Sequence, residues 1–267
     1  MIPAGRRTER PTPAGTSVSS TWSLGLAAGI LAPTGSLALA AGILACVLGA
    51  VPADAGTLSG HIRYEGPAPG RPTITMSADL ACDRLFPKGR PTEVVVVDAG
   101  GGLANVLVHV TAGLPDDFRS AAPTTSAVID QEGCAFVPHV LGVRAGQEIE
   151  IRNRDATSHD VDAKAAFNTP FHETLPARDI VIRKAFERPE VAVKLKSDNH
   201  PWMSAYVGVF SHPFFFVTGP DGTFTIAGLP RGDYTVEAWH ESLGRKSAKV
   251  SIDKEGSATL DFSFAGN

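Results

Sequence analysis

An all-β protein is what this sequence predicts, on three observations. No stretch of ten or more residues carries apolar positions at helical spacing. Short runs rich in Val, Ile, Phe, Tyr and Thr recur instead, each closed by Gly, Pro, Asn or Asp. The chain also holds 27 glycines and 20 prolines beside an ordinary 43% of hydrophobic residues, which implies many turns. Charged residues make up 19% and the formal net charge is −4, with no basic cluster or arginine stripe, so nucleic acid is not an expected partner.

Residues 1–55 read as a targeting segment outside that fold. Arg6, Arg7 and Arg10 precede a mostly apolar run over 22–51, and Ala53-Asp54-Ala55 supplies small residues two apart. That order is the order of a secretory signal, with cleavage expected after Ala55. The run is long enough for a membrane anchor if it is not cleaved, and LAAGILA occurs twice, at 26–32 and 39–45. Pro33, Thr34 and Gly35 interrupt it, which favours a signal, and the residues before Cys46 make a poor lipobox. The expected location is periplasmic or secreted, with membrane contact only through an uncleaved segment. Beyond the segment two cysteines remain, Cys82 and Cys134; an even count in an exported chain suggests a disulfide, and two separate buried thiols is the other reading.

From Gly56 the elements follow in order. Residues 57–64 alternate with period two and stop at Glu65-Gly66-Pro67. Residues 70–91 are punctuated by proline and charge and read as loop around Cys82. Apolar runs at 93–97 and 104–110 flank Asp98-Ala99-Gly100-Gly101-Gly102, a hairpin turn and not a phosphate loop, because no Lys-Ser/Thr follows it. Strands are expected at 127–130 and 135–140 around Gln131-Glu132-Gly133, at the strictly alternating 148–153, and at 180–182 and 191–195. After Phe214 the pattern is strand, turn, strand, turn, strand through Trp239, with Asp221-Gly222 and Gly232 as the turns.

Candidate metal donors concentrate in one stretch, Lys196-Ser197-Asp198-Asn199-His200-Pro201-Trp202-Met203. A His and a Met three apart at a strand end can face one point, and imidazole and thioether suit copper better than magnesium or calcium. His159 follows an Asn153-Arg154-Asp155 turn that would orient its ring inward. His139, Asp198 and His212 are auxiliary candidates. His61 and His109 sit in strands, His172 in a polar loop, and His240 at a strand end suited to a structural hydrogen bond. Asp155, Asp160 and Asp162 read as solvated loop carboxylates.

The run "P-H-V…G-Q-x-I-x-I-x-N-x-D-x-x-x-H", followed some way on by "S-D-N-H-P-W-M", resembles the copper-binding parts of a cupredoxin. The resemblance covers residues 126–213 and implies a Greek-key sandwich with His159, His200 and Met203 as metal ligands. It implies a thiolate at the position of Ser197, so that the usual Cys ligand is replaced. The run "T-x-x-D-G-x-F-x-I-x-x-L-P-x-G-x-Y-x-V" at 218–236 resembles the carboxypeptidase-regulatory, transthyretin-like β-sandwich, a carbohydrate-binding-like fold, which implies such a unit over 214–267 that 56–125 would complete.

The function these resemblances imply is copper holding or delivery to a protein partner. Blue-copper electron transfer with a redox partner is disfavoured by the missing thiolate. The alternative is a metal-free exported module in which Trp202, Tyr206 and Trp239 meet a polysaccharide or a partner protein. No catalytic residue is assigned, since the sequence holds no nucleophile elbow, H-E-x-x-H or phosphate loop.

Overall fold

The computed structural model describes residues 55–266; the expected targeting segment, Ala55 excepted, lies outside them. In chain order the elements are β1 (Ala55–Glu65), β2 (Thr73–Ile74), α1 (Leu80–Leu85), β3 (Arg90–Pro91), β4 (Leu107–Ala112), β5 (Ala127–Gln131), β6 (Phe136–Val137) and β7 (Val140–Arg144). There follow β8 (Glu148–Asn153), β9 (His159–Lys164), β10 (Phe171–Leu175), β11 (Val181–Ala185), β12 (Glu190–Lys196) and β13 (Ser204–Phe210). The chain closes with β14 (Phe215–Val217), β15 (Thr223–Pro230), β16 (Gly232–His240), β17 (Gly244–Ile252), β18 (Ser257–Thr259) and β19 (Phe262–Ala265). The protein is all-β, and among the described residues no helix is long and apolar enough to cross a membrane.

Two sandwiches share the strands. The outer one joins the two ends of the described chain: β1 pairs with β15, β18 and β19, and the facing sheet runs β14-β4-β16-β17. Period-two alternation on β1 turns Leu58 and Ile62 inward, where they meet Val108, Phe224, Ile226, Tyr234 and Val236. The inner sandwich is built from β5 to β13, with sheets β10-β9-β12-β13-β7 and β11-β8-β5-β6. The pairs β5-β6, β9-β10 and β12-β13 stay within one sheet and the other connections cross between sheets, as in a Greek-key sandwich, while two of the pairings, β13 with β7 and β5 with β8, are parallel. On β8, Ile149 and Ile151 enter the core with Val161, Val193, Leu195 and Val207, while outward Glu150 bonds Arg152 and Arg183.

The sandwiches meet along β7 and β13 on one side and β4, β14 and β16 on the other, where Leu107, Val140, Phe210 and Trp239 form a small core of their own. Gly208 and Gly142 are register partners there. A Cβ on Gly208 would stand 2.4 Å from Leu107, and one on Gly142 2.6 Å from the Phe215 ring, so the two glycines permit the close approach.

Three local expectations are corrected. Residues 70–91 are not all loop: Asp79 caps α1 by accepting from the Ala81 and Cys82 N–H groups, and β2 pairs with β3. The apolar run at 93–97 makes only an isolated bridge, Val97 to Leu103. His172 lies in β10, paired with β9, not in a loop.

Candidate metal centre

His159 opens β9, and the loop before it is folded by Asn153. The Asn153 amide donates to the Thr157 carbonyl at 2.7 Å and the Leu175 carbonyl at 2.9 Å, and its oxygen accepts from the Asp155 N–H. Asp155 is thereby placed against the turn between β5 and β6, accepting from the Gly133 and Cys134 N–H groups at 2.9 and 2.8 Å. Both turn residues are left-handed, Cys134 at φ 56°, a cost that these two charge-assisted bonds offset. Asp155 also faces His159 Nε2 at 2.9 Å.

His200 lies in the loop between β12 and β13, held by a second carboxylate. Asp160 accepts from Ser197 Oγ and from the N–H groups of Asp198 and Asn199, while Ser197 Oγ accepts the His200 N–H at 2.8 Å. His200 Nε2 faces Asp79 at 3.2 Å, and Asp79 further accepts from Thr157 Oγ1 at 2.8 Å. The carboxylates read as solvated are therefore buried: Asp155, Asp160 and Asp162 are each 5% exposed or less. Burial raises the Asp79 carboxyl, but bonds from Cys82, Thr157, His200 and Ala81 outweigh it and hold it at about 2. For Asp155, burial is likewise outweighed, by His159 and the Cys134 and Gly133 N–H groups, so its carboxyl also lies below the usual range.

These anchors fix how the two rings meet. Ionised carboxylates only accept, so each Nε2 carries its hydrogen and each Nδ1 carries a lone pair. The two Nδ1 atoms face each other at 3.1 Å, with ring centroids 4.7 Å apart. Facing lone pairs repel, and the arrangement calls for a cation between them: a proton on one ring or a metal ion on both. Two imidazole nitrogens on one tetrahedral ion at about 2.0 Å each stand about 3.3 Å apart, close to the spacing seen. His159 is fully buried, and the Trp202 ring lies 5.1 Å from that of His200 while its Nε1 donates to the Cys134 carbonyl. The donor set fits copper or zinc, with the carboxylate–histidine pairing that orients metal-bound imidazoles.

Cys82 and Cys134 form a disulfide beside this pair, with their Cα atoms 5.8 Å apart. The other sequence candidates have partners of their own. Met203 is buried in the inner core, its N–H bonded to the His200 carbonyl and its carbonyl to the Ser197 N–H. His139 pairs with Glu241, and His212 Nε2 lies 2.9 Å from the Val110 carbonyl. Asp198 groups with Asp160 and His172, apart from the histidine pair. His240 accepts backbone N–H groups from Ser242 and Leu243. Sequence reasoning missed Asp79 and took Asp155 for a solvated turn residue; the helix-capping pattern of Asp79 before a short apolar run was the available signal for the first.

No protein-family model matches the chain, and no curated protein matches it. Among solved structures it is similar to a Cu-containing nitrite reductase from Thermus scotoductus SA-01, at 20% identity over 38% of this chain and 26% of that one, TM-score 0.31. It is similar to a purple cupredoxin from Nitrosopumilus maritimus, at 18% identity over 32% and 100% of the two chains, TM-score 0.28. A variant of amicyanin in the Cu(I) form gives 20% identity over 32% and 82%, TM-score 0.29. The chain spans about a quarter of the nitrite reductase, and likeness at this level bears on neither the donors nor the activity.

Proposed function

We propose that this is an exported copper-binding protein whose inner sandwich is cupredoxin-like and holds one copper ion between His159 and His200. Its role in this reading is copper holding or delivery to a partner protein, not blue-copper electron transfer. The observation that carries the reading is the pair of Nδ1 atoms facing at 3.1 Å while both Nε2 atoms face carboxylates. Bound copper would supply a Cu(II)/Cu(I) couple. The chain's own residues hold the rings: Asp155 and Asp79 fix the tautomers, Asp160 and Ser197 fix the His200 loop, and Trp202 shields one side. Among the described residues both cysteines are in the disulfide, so neither offers a thiolate to give an intense blue band.

The polysaccharide alternative relies on aromatic side chains free to stack. Trp239 is buried, Tyr206 packs edge-on against it at 5.2 Å, and Trp202 lies against His200, which favours the copper reading. The test is metal analysis of protein purified without an affinity tag, with Cu(II) and Zn(II) titrated against a competing chelator. One equivalent of Cu(II), pale in colour, lost in His159→Ala and in His200→Ala, is expected. Copper uptake that survives in both variants would refute the assignment.

A further inference from the structure

The two sulfurs of the disulfide lie against the histidine pair. Cys82 Sγ, a ring nitrogen of His200 and a carboxylate oxygen of Asp79 all fall within 4.8 Å of one another. Cys134 Sγ, a ring nitrogen of His159 and a carboxylate oxygen of Asp155 do the same. The sulfurs are bonded to each other, and the two Nδ1 atoms are 3.1 Å apart, so two sulfurs and two imidazoles gather in one buried place. While the disulfide stands, neither sulfur offers a thiolate.

We propose that reduction of Cys82–Cys134 turns the two-histidine pair into a four-donor site for a soft cation, Cu(I) or Zn(II). The cysteines are then either crosslinked to each other or bound to metal. The inference rests on the reading of His159 and His200 as metal donors and adds the cysteines to them. Two thiolates and two imidazoles form a donor set that suits zinc and Cu(I) and that magnesium and calcium do not select.

The chemistry balances with a dithiol as reductant. Two electrons and two protons pass from the dithiol, the S–S bond breaks, each cysteine sulfur gains a proton, and the dithiol closes to its own disulfide. When metal enters, two metal–sulfur bonds form and the two thiol protons leave to water. Both sulfurs are buried, so exchange requires α1 to lift. That helix is six residues long, shows Leu80 and Leu85 to solvent, and stands beside a groove lined by Arg84, Phe86, Arg154, Asp155 and Arg178. A newly exported chain arrives reduced and can load metal before the crosslink forms.

The experiment uses the full chain, reduced with a phosphine in urea, freed of the phosphine and refolded without oxygen in the presence of Co(II), with Cu(I) in a parallel arm. Co(II) reports thiolate ligation by a sulfur-to-metal charge-transfer band. The band is expected in reduced protein, absent from oxidised protein and lost in the Cys82→Ala, Cys134→Ala double variant. Because reduction could unfold the chain, circular dichroism is read in the same samples, and each single variant, which keeps one thiol beside the histidines, is expected to retain part of the band. Reduced protein that binds Co(II) with no thiolate band overturns this inference and leaves the histidine reading intact. So does a band that persists in the His159→Ala, His200→Ala double variant, or a reduced chain that Co(II) does not refold. If neither oxidised nor reduced protein takes up any metal, the histidine reading fails and this inference with it.

Discussion

His240 should make the protein lose stability in mild acid, and the size of the loss can be worked from its surroundings. It ends β16 with 1% of its surface exposed. Nδ1 accepts the Ser242 and Leu243 N–H groups, so the ring hydrogen sits on Nε2, which meets no partner. Burial, only partly opposed by Glu241 and reinforced by His139, lowers its pKa from 6.5 to about 4. In the unfolded chain the ring takes a proton below about pH 6.5, and in the fold it does not until about pH 4, so the unfolded state binds more protons across that window. Stability therefore falls as the pH drops from about 6.5 to about 4, by about 3 kcal/mol for this group. His240→Asn keeps a side-chain acceptor for the two N–H groups and removes the ionisation. Urea denaturation followed by circular dichroism, at a series of pH values from neutral to about 4, should show the stability difference between variant and parent move by about 3 kcal/mol in the variant's favour. His109 and His212 are lowered in the same direction by burial, so the parent's own slope exceeds one residue's share, and the comparison isolates His240. Parallel pH curves for the two proteins would refute the reasoning.

Three further outcomes are expected. Asp155→Asn should weaken Cu(II) binding by about ten- to a hundredfold in competition with a chelator, because the anchor of His159 Nε2 loses its charge. Ser197→Cys should bring an intense visible sulfur-to-copper band to the Cu(II) form; no new absorption would mean that position 197 does not face the histidine pair. Gly208→Val should cost about 1–3 kcal/mol in thermal or urea unfolding, since its Cβ would strike Leu107, whereas Gly70→Ala, with nothing within 4 Å, should be near neutral.

The all-β character was readable because it rests on local signals, period-two alternation and turn residues, which β1 and β8 carry plainly. The helix α1 was hidden because six residues are too few to express a helical period, and prolines on both sides made the region look irregular. His159 and His200 drew attention through the residues around them, yet the carboxylate that sets the His200 tautomer, Asp79, lies 121 residues away, and only Asp155, which faces His159, is local. The burial of Asp155, Asp160 and Asp162 was out of reach for the same reason: in a single sequence a carboxylate that collects backbone N–H groups looks like one that faces water.

The inner sandwich leaves the outer one after β4 and returns at β14, and these two strands are direct neighbours, Phe215 opposite His109. In effect β4 and β14 form a hairpin whose turn is a whole folded body of about 100 residues. Closing so long a turn from a disordered chain would cost about 2 kcal/mol more than closing a ten-residue one. If the inner body folds first, its own ends emerge side by side and that cost largely disappears for the outer sheet. The order of assembly is then written into the connectivity: the enclosed part can form while the surrounding strands are still apart, and the enclosing part cannot easily close without it.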